Sequence, residues 1–166
     1  INGWQAMLIN GNTNNITINQ GSAVTAVGKN LAEVAVTGNN NTVSLTQQHN
    51  NKYTELLLNG SSSQITVQQK DIGAKSAFFN ISGSNNSIST LQEGSGNHFL
   101  DISALYGTAT VNVTQSGTAQ KLFQLIINNP GVGVTVTQNN ASVVDSAVMT
   151  ITCTTGPCSG YSYTKN

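Results

Sequence analysis

Charge is what this chain of 166 residues has least of. Six lysines, no arginine and six acidic residues make up 7% of it and cancel to a net charge of zero. A nucleic-acid partner calls for a clustered basic face, so none is expected. No apolar run approaches the roughly 18 residues that a membrane-spanning helix needs, so no membrane span is expected either. A basic-then-apolar leader is also missing, and the sequence opens at Ile1, which reads as a mature chain whose export signal has been removed. Proline occurs twice and aromatic residues make up 5%. The two cysteines, Cys153 and Cys158 in "CTTGPC", suit a small disulfide loop in an oxidising compartment, with a free-thiol state left open. They lack the further Cys or His that would close a zinc site, and no metal or other cofactor is expected.

What the chain does have is Asn, Gly, Ser and Thr around a regular apolar spacing, and that spacing argues against disorder. Aligned on Gln20, Gln47, Gln69, Gln92, Gln115 and Gln138, it falls into copies separated by 27, 22, 23, 23 and 23 residues. Two residues before each glutamine stand Ile18, Leu45, Val67, Thr90, Val113 and Val136; four before stand Ile16, Val43, Ile65, Ile88, Val111 and Val134. This period of two marks a short glutamine strand in each copy, with Thr90 the one departure from aliphatic character. A leading strand precedes each: Met7 and Ile9, Val34 and Val36, Leu56 and Leu58, Phe79 and Ile81, Ile102 and Ala104, Leu125 and Ile127. Met149 and Ile151 supply a seventh leading strand, and "SGYSYTKN" after it reads as a partial final glutamine strand. Links such as "NGNTNN" and "TGNNNT" hold residues that accept left-handed backbone angles.

A strand-turn-strand unit of about 23 residues buries little alone and must stack on its neighbours. The expected fold is all-β, a parallel β-solenoid of about six to seven rungs, with strands about 4.8 Å apart. An immunoglobulin-like sandwich is the rival, but it gives no reason for a glutamine at fixed register. In a solenoid the six glutamines form one column at the inner end of the strand. Each amide then hydrogen-bonds the next, as in the Asn/Gln ladders of cross-β stacks. A one-residue slip would strand every amide and turn the valines outward, so the column sets register.

"STLQEGSGNHFLDIS" contains Gln92, Gly94, Gly96 and Asn97 in the order Q-x-G-x-G-N, and "VNVTQSGTAQ" repeats the start of it with Gln115 and Gly117. The chain thereby resembles the curlin-repeat family of secreted bacterial proteins that stack into curli fibres. The resemblance covers nearly the whole chain by period and strand pattern. The Asn position is Thr25, Lys52, Ala74 and Val143 in other copies, and the family's second glutamine column is not visible. What it implies is a functional-amyloid subunit: a homopolymer in an extracellular fibre at the cell surface, serving biofilm matrix and cell adhesion, with nucleating and secretion partners.

Enzyme activity is not expected, because titratable groups do not converge on one point. His49 and His98 fall near turns and read as solvated. Lys52, Lys75, His98 and Lys121 share a column that reads as a solvated charge ladder, beside an outward column of Glu33, Glu55, Phe78, Asp101 and Gln124. The outward face of the glutamine strands carries Thr17, Ser44, Thr66, Ser89, Asn112 and Thr135, then Asn19, Thr46, Gln68, Leu91, Thr114 and Thr137. Such hydroxyl columns give the alternative reading, a secreted module that binds ice or surface glycans.

Three stretches follow: an N-terminal half-rung at 1–10, solenoid repeats at 11–151, and a tail with the cysteine loop at 152–166. Trp4, Met7, Ile9, Met149, Ile151, Tyr161 and Tyr163 are the expected subunit-junction residues, because uncapped solenoid ends present open strand edges.

Overall fold

The computed structural model describes residues 4–20, 29–48, 51–70, 72–106, 109–118, 120–127, 132–138, 145–151 and 161–165. His49, Cys153 and Cys158 lie outside the described residues, so the expected disulfide does too. The described residues contain fourteen strands and no helix, and hence no helix long and apolar enough to cross a membrane. The leading strands are β1 (Trp4–Asn10), β3 (Lys29–Thr37), β5 (Asn51–Asn59), β7 (Lys75–Ser82), β9 (His98–Tyr106), β11 (Lys121–Ile127) and β13 (Asp145–Ile151). Alternating with them are β2 (Asn15–Gln20), β4 (Thr42–Gln47), β6 (Gln64–Gln68), β8 (Asn86–Leu91), β10 (Ala109–Gln115), β12 (Val132–Gln138) and β14 (Tyr161–Lys165).

Odd-numbered strands form one seven-stranded sheet and even-numbered strands another, each in chain order. Every pairing is parallel. The chain is a β-solenoid, and a sandwich of antiparallel hairpins is ruled out. Alternation explains the core. Ile16 and Ile18, Val43 and Leu45, Ile65 and Val67, and Val111 and Val113 turn inward from one sheet. Val34 and Val36, Leu56 and Leu58, and Phe79 and Ile81 meet them from the other. Thr90, the odd residue in its column, is buried beside Val67 and Val113, and its hydroxyl has no partner. The partial strand expected in the tail is β14, which pairs with β12.

One register assignment needs correction. Equal spacing puts Ala104 opposite Ile81, whereas β7 and β9 slip by one residue after Phe79 and Ile102, so Asn80 meets Ala104 and Ile81 meets Leu105. A bulge leaves one residue unpaired and shifts everything after it. Here the shift sets Leu105, rather than Ala104, opposite the buried Ile81, a change that a fixed 23-residue spacing does not carry.

Candidate functional site

Two walls close each rung, and their chemistry differs. The wall from leading strand to glutamine strand is built on Gly11, Gly38, Gly60 and Gly83. A Cβ on Gly38 would lie 2.2 Å from Gly11 O, one on Gly60 would lie 1.9 Å from Gly38 O, and one on Gly83 would lie 2.1 Å from Gly60 O. Only glycine lets the rungs approach this closely. Two residues on, Thr13, Asn40, Ser62 and Asn85 are left-handed (φ 61°, 58°, 57° and 59°) and turn the chain back.

Side chains bind this wall from rung to rung. Along an outer line, Asn39 N donates to Asn12 Oδ1 (2.6 Å), Ser61 N to Asn39 Oδ1 (2.7 Å) and Ser84 N to Ser61 Oγ (2.9 Å). Along a buried inner line the direction reverses: Asn14 N donates to Asn41 Oδ1 (2.9 Å), Asn41 N to Ser63 Oγ (3.2 Å) and Ser63 N to Asn86 Oδ1 (2.9 Å). The amides of Asn41 and Asn86 also donate to Gly38 O (2.7 Å) and Gly60 O (2.9 Å). Strand patterning does not place these ladders, because Asn-Gly runs read as turn formers. Their signal is the Asn and Ser residues at matching positions of the first four links.

The opposite wall holds the glutamine column. Gln69 Nε2 donates to Gln92 Oε1 at 2.9 Å, Gln92 to Gln115 at 2.8 Å and Gln115 to Gln138 at 2.8 Å. The amide's second N–H, which strand patterning did not place, reaches across to the following leading strand. Gln69 meets Ser76 O (3.0 Å), Gln92 meets Phe99 O (2.8 Å) and Gln115 meets Leu122 O (3.1 Å). The column therefore ties rung to rung and sheet to sheet. Its quality follows link length. Where seven residues separate the glutamine from the carbonyl it meets, the ladder bond is short; at six, Gln47 to Tyr53, the bond from Gln47 to Gln69 lengthens to 3.4 Å. Across the longer link, Gln20 Nε2 meets Leu31 O at 2.9 Å, and the Oε1 atoms of Gln20 and Gln47 are buried without a donor.

Beside this column the solvated reading of Lys52, Lys75, His98 and Lys121 is overturned: all four are buried, at 2%, 0%, 2% and 1% exposure. They stack in register through the parallel pairing of β5, β7, β9 and β11. The physical reason is that the turning backbone aims carbonyls inward. Lys75 Nζ donates to Gly94 O (2.7 Å), Gly73 O (3.2 Å) and Gly96 O (3.4 Å), and Lys52 Nζ lies 3.5 Å from Ile72 O. A buried ammonium is tolerated only where such acceptors replace water. In this sequence Gly94 and Gly96 thus serve a lysine in the preceding rung, while Asn97 is left-handed (φ 55°) and accepts from Lys75 N. Gly117 O accepts from Gly96 N at 3.0 Å.

His98 occupies the same cage. Its Nδ1 lies 3.2 Å from Gln120 O and its Nε2 abuts Glu93 O. A neutral imidazole has one N–H for these two acceptors, so the carbonyls favour the charged ring. Burial outweighs them and, with Lys75 and Lys121 on either side, holds the His98 pKa below its usual value.

The two outer faces also differ. On the leading sheet Tyr53, Phe78 and Phe99 form a zigzag with ring centroids 5.3 Å apart, and Leu8 and Leu57 are exposed. Glu33, Glu55, Phe78, Asp101 and Gln124 share one column in register. Gln124 donates to Asp101 Oδ2 (3.1 Å), and burial raises the Asp101 pKa. On the glutamine sheet the outward columns hold Thr17, Ser44, Thr66, Ser89, Asn112 and Thr135 in register, mostly exposed. Trp4, Met149, Ile151, Tyr161 and Tyr163 are placed by register: Trp4 opposite Leu31, Met149 opposite Leu125, Ile151 opposite Ile127, Tyr161 opposite Val134 and Tyr163 opposite Val136. Met7 and Ile9 pack partly buried against the core. Among the described residues no group of His, Cys, Asp and Glu is arranged to hold a metal ion. Comparison with family models, with curated proteins and with solved structures returned no match.

Proposed function

We propose that this chain is a structural subunit of an extracellular, curli-like fibre that polymerises by end-to-end stacking of its rungs and supports biofilm matrix and adhesion. One observation carries the reading: among the described residues, β1 and β2 at one end, and β13 and β14 at the other, are outer strands of parallel sheets with a single neighbour each. An open edge is a template for another strand. The columns at the two edges match in kind, with Met7 and Ile9 at one end and Met149 and Ile151 at the other. The Q-x-G-x-G-N run from Gln92 to Asn97 adds the resemblance to curlin repeats, and with it an expectation of nucleating and secretion partners.

The exposed hydroxyl columns on the glutamine sheet favour a second reading, a module that binds ice or glycans with Thr17, Thr66 and Ser89 on a flat face. Negative-stain microscopy of the purified protein over a concentration series separates the two. The fibre reading predicts unbranched filaments that grow with concentration. Monomers at every concentration, together with ice recrystallisation inhibition or glycan retention, would favour the module instead.

A further inference from the structure

The outward face of the leading sheet sets aromatic rings beside carboxylates. Tyr53 and Phe78 stand on adjacent rungs with ring centroids 5.3 Å apart, and Phe99 continues the line at 5.3 Å from Phe78. Glu55 lies opposite Phe78 on one side and opposite Glu33 on the other. Tyr53 Oη donates to Glu55 Oε2 at 3.1 Å, which holds that carboxylate beside the rings. Burial, this hydrogen bond and the charges of Glu55 and Glu33 all raise the Tyr53 pKa, so the phenol stays protonated as the donor. Between the two rungs Tyr53, Glu55, Leu57, Phe78 and Asn80 line an open groove of about 340 Å³, a size that suits a small ligand. Like charges on neighbouring strands repel one another. No lysine stands in the outward columns through Tyr53, Glu55 and Leu57 to offset Glu33 and Glu55, and the chain has no arginine.

We propose that this groove binds an alkylated ammonium ion, seated against the Tyr53 and Phe78 rings with Glu55 as its countercharge. An aromatic ring attracts a cation through its quadrupole, and quaternary ammonium groups are what aromatic cages take up. The lining selects among cations. Leu57, 49% exposed, gives alkyl groups an apolar wall that a strongly hydrated metal ion cannot use. An anionic ligand would meet Glu33 and Glu55 at its own sign. A neutral sugar would touch the rings and the Asn80 amide but leave the carboxylates uncompensated. The groove lies on a sheet face and not at a strand edge, so the site does not depend on the stacking reading. It is present on a single molecule and along the side of a filament alike.

Choline chloride is the probe, titrated into the full chain at low ionic strength and followed by saturation-transfer NMR of its methyl protons. The comparison ligand is the neutral alcohol in which carbon replaces the quaternary nitrogen. Choline should bind saturably, and the neutral alcohol roughly tenfold more weakly, because it keeps the shape and loses the charge. Phe78→Leu keeps an apolar wall and removes a ring, and should weaken choline about fivefold while barely changing the alcohol. Glu55→Gln keeps an acceptor for Tyr53 and removes the countercharge, and should weaken choline about three- to fivefold. Glu93→Gln makes the same change of charge on the turn between β8 and β9 and should bind choline as the wild type does. Circular dichroism checks that each variant keeps its β-sheet spectrum. Should Phe78→Leu lose it, Glu55→Gln and the comparison of the two ligands still decide. Equal binding of choline and the neutral alcohol overturns the proposal, as does the absence of saturable binding. So does a Glu55→Gln variant that binds choline no more weakly than the wild type or than Glu93→Gln.

Discussion

Along one wall of the rod, Gly38, Gly60 and Gly83 press on the carbonyls of the preceding rung, and neutral Asn and Ser side chains bridge the remaining backbone groups. Along the other, inward backbone carbonyls are met by Lys75, His98 and the glutamine amides. Both walls face the same requirement, that buried backbone groups be paired. One meets it by bringing rungs too close for any side chain, and the other by filling the space with long donors. The first tolerates no added volume. The second tolerates volume and depends on donors.

Glycine substitution should break that contrast most sharply. Gly60→Ala puts a methyl 1.9 Å from a backbone oxygen that cannot move without parting two rungs. Its expected cost is roughly 3–5 kcal/mol, read as loss of the cooperative transition or a large fall in Tm. Gly73→Ala, on the donor wall, meets nothing within 4 Å and bears only its positive φ of 65°. That should cost about 1–2 kcal/mol. Equal effects at the two positions would erase the distinction between the walls.

Gln92→Leu comes next. It removes the Gln92 acceptor of one Gln69 N–H and the Gln92 donor to Gln115 Oε1, leaving those two buried groups without their ladder partner, at an expected cost of about 2–4 kcal/mol in urea unfolding. Gln20→Leu, where no ladder bond exists and an orphaned oxygen is removed, should cost less than about 1 kcal/mol in the monomer. Lys75→Met keeps the length of the side chain and withdraws its donors from Gly73, Gly94 and Gly96, for about 1–3 kcal/mol. A stabilised Lys75→Met would show that the carbonyl cage does not repay the burial of the charge.

The smallest expected effect concerns pH. Because the folded His98 titrates below its unfolded value, the unfolded chain takes up a proton first as pH falls through about 6.5. Stability due to His98 is thus full above that pH and declines below it, by at most about 1.4 kcal/mol per pH unit, until the folded pKa is reached. Asp101 works the other way at lower pH: its raised pKa favours the folded state as protons bind. Melting temperatures at pH 7 and pH 5.5 should differ in the wild type and converge in His98→Gln. A pH response unchanged in that variant would assign it elsewhere.

Parallel rungs, the inward aliphatic columns and the stacking position of the glutamines were legible because each follows from period two within a strand and period 23 between copies. The burial of Lys52, Lys75 and Lys121 was not legible, since a lysine's fate depends on where turning carbonyls point, and that is set by left-handed residues such as Ile72 and Asn97. The second amide bond, to Ser76, Phe99 and Leu122, was hidden because it crosses between sheets. The slip at Ala104 was hidden for another reason: a bulge preserves the spacing of the glutamines while moving the residues between them.

Whether the rungs continue from molecule to molecule is decided most directly by X-ray diffraction from an oriented filament preparation. Continuous stacking predicts a meridional reflection near 4.8 Å together with an axial subunit repeat of roughly 34 Å, the height of seven rungs. Filaments whose strands run along the axis, with no meridional reflection near 4.8 Å, would contradict it, as would a protein that stays monomeric at every concentration.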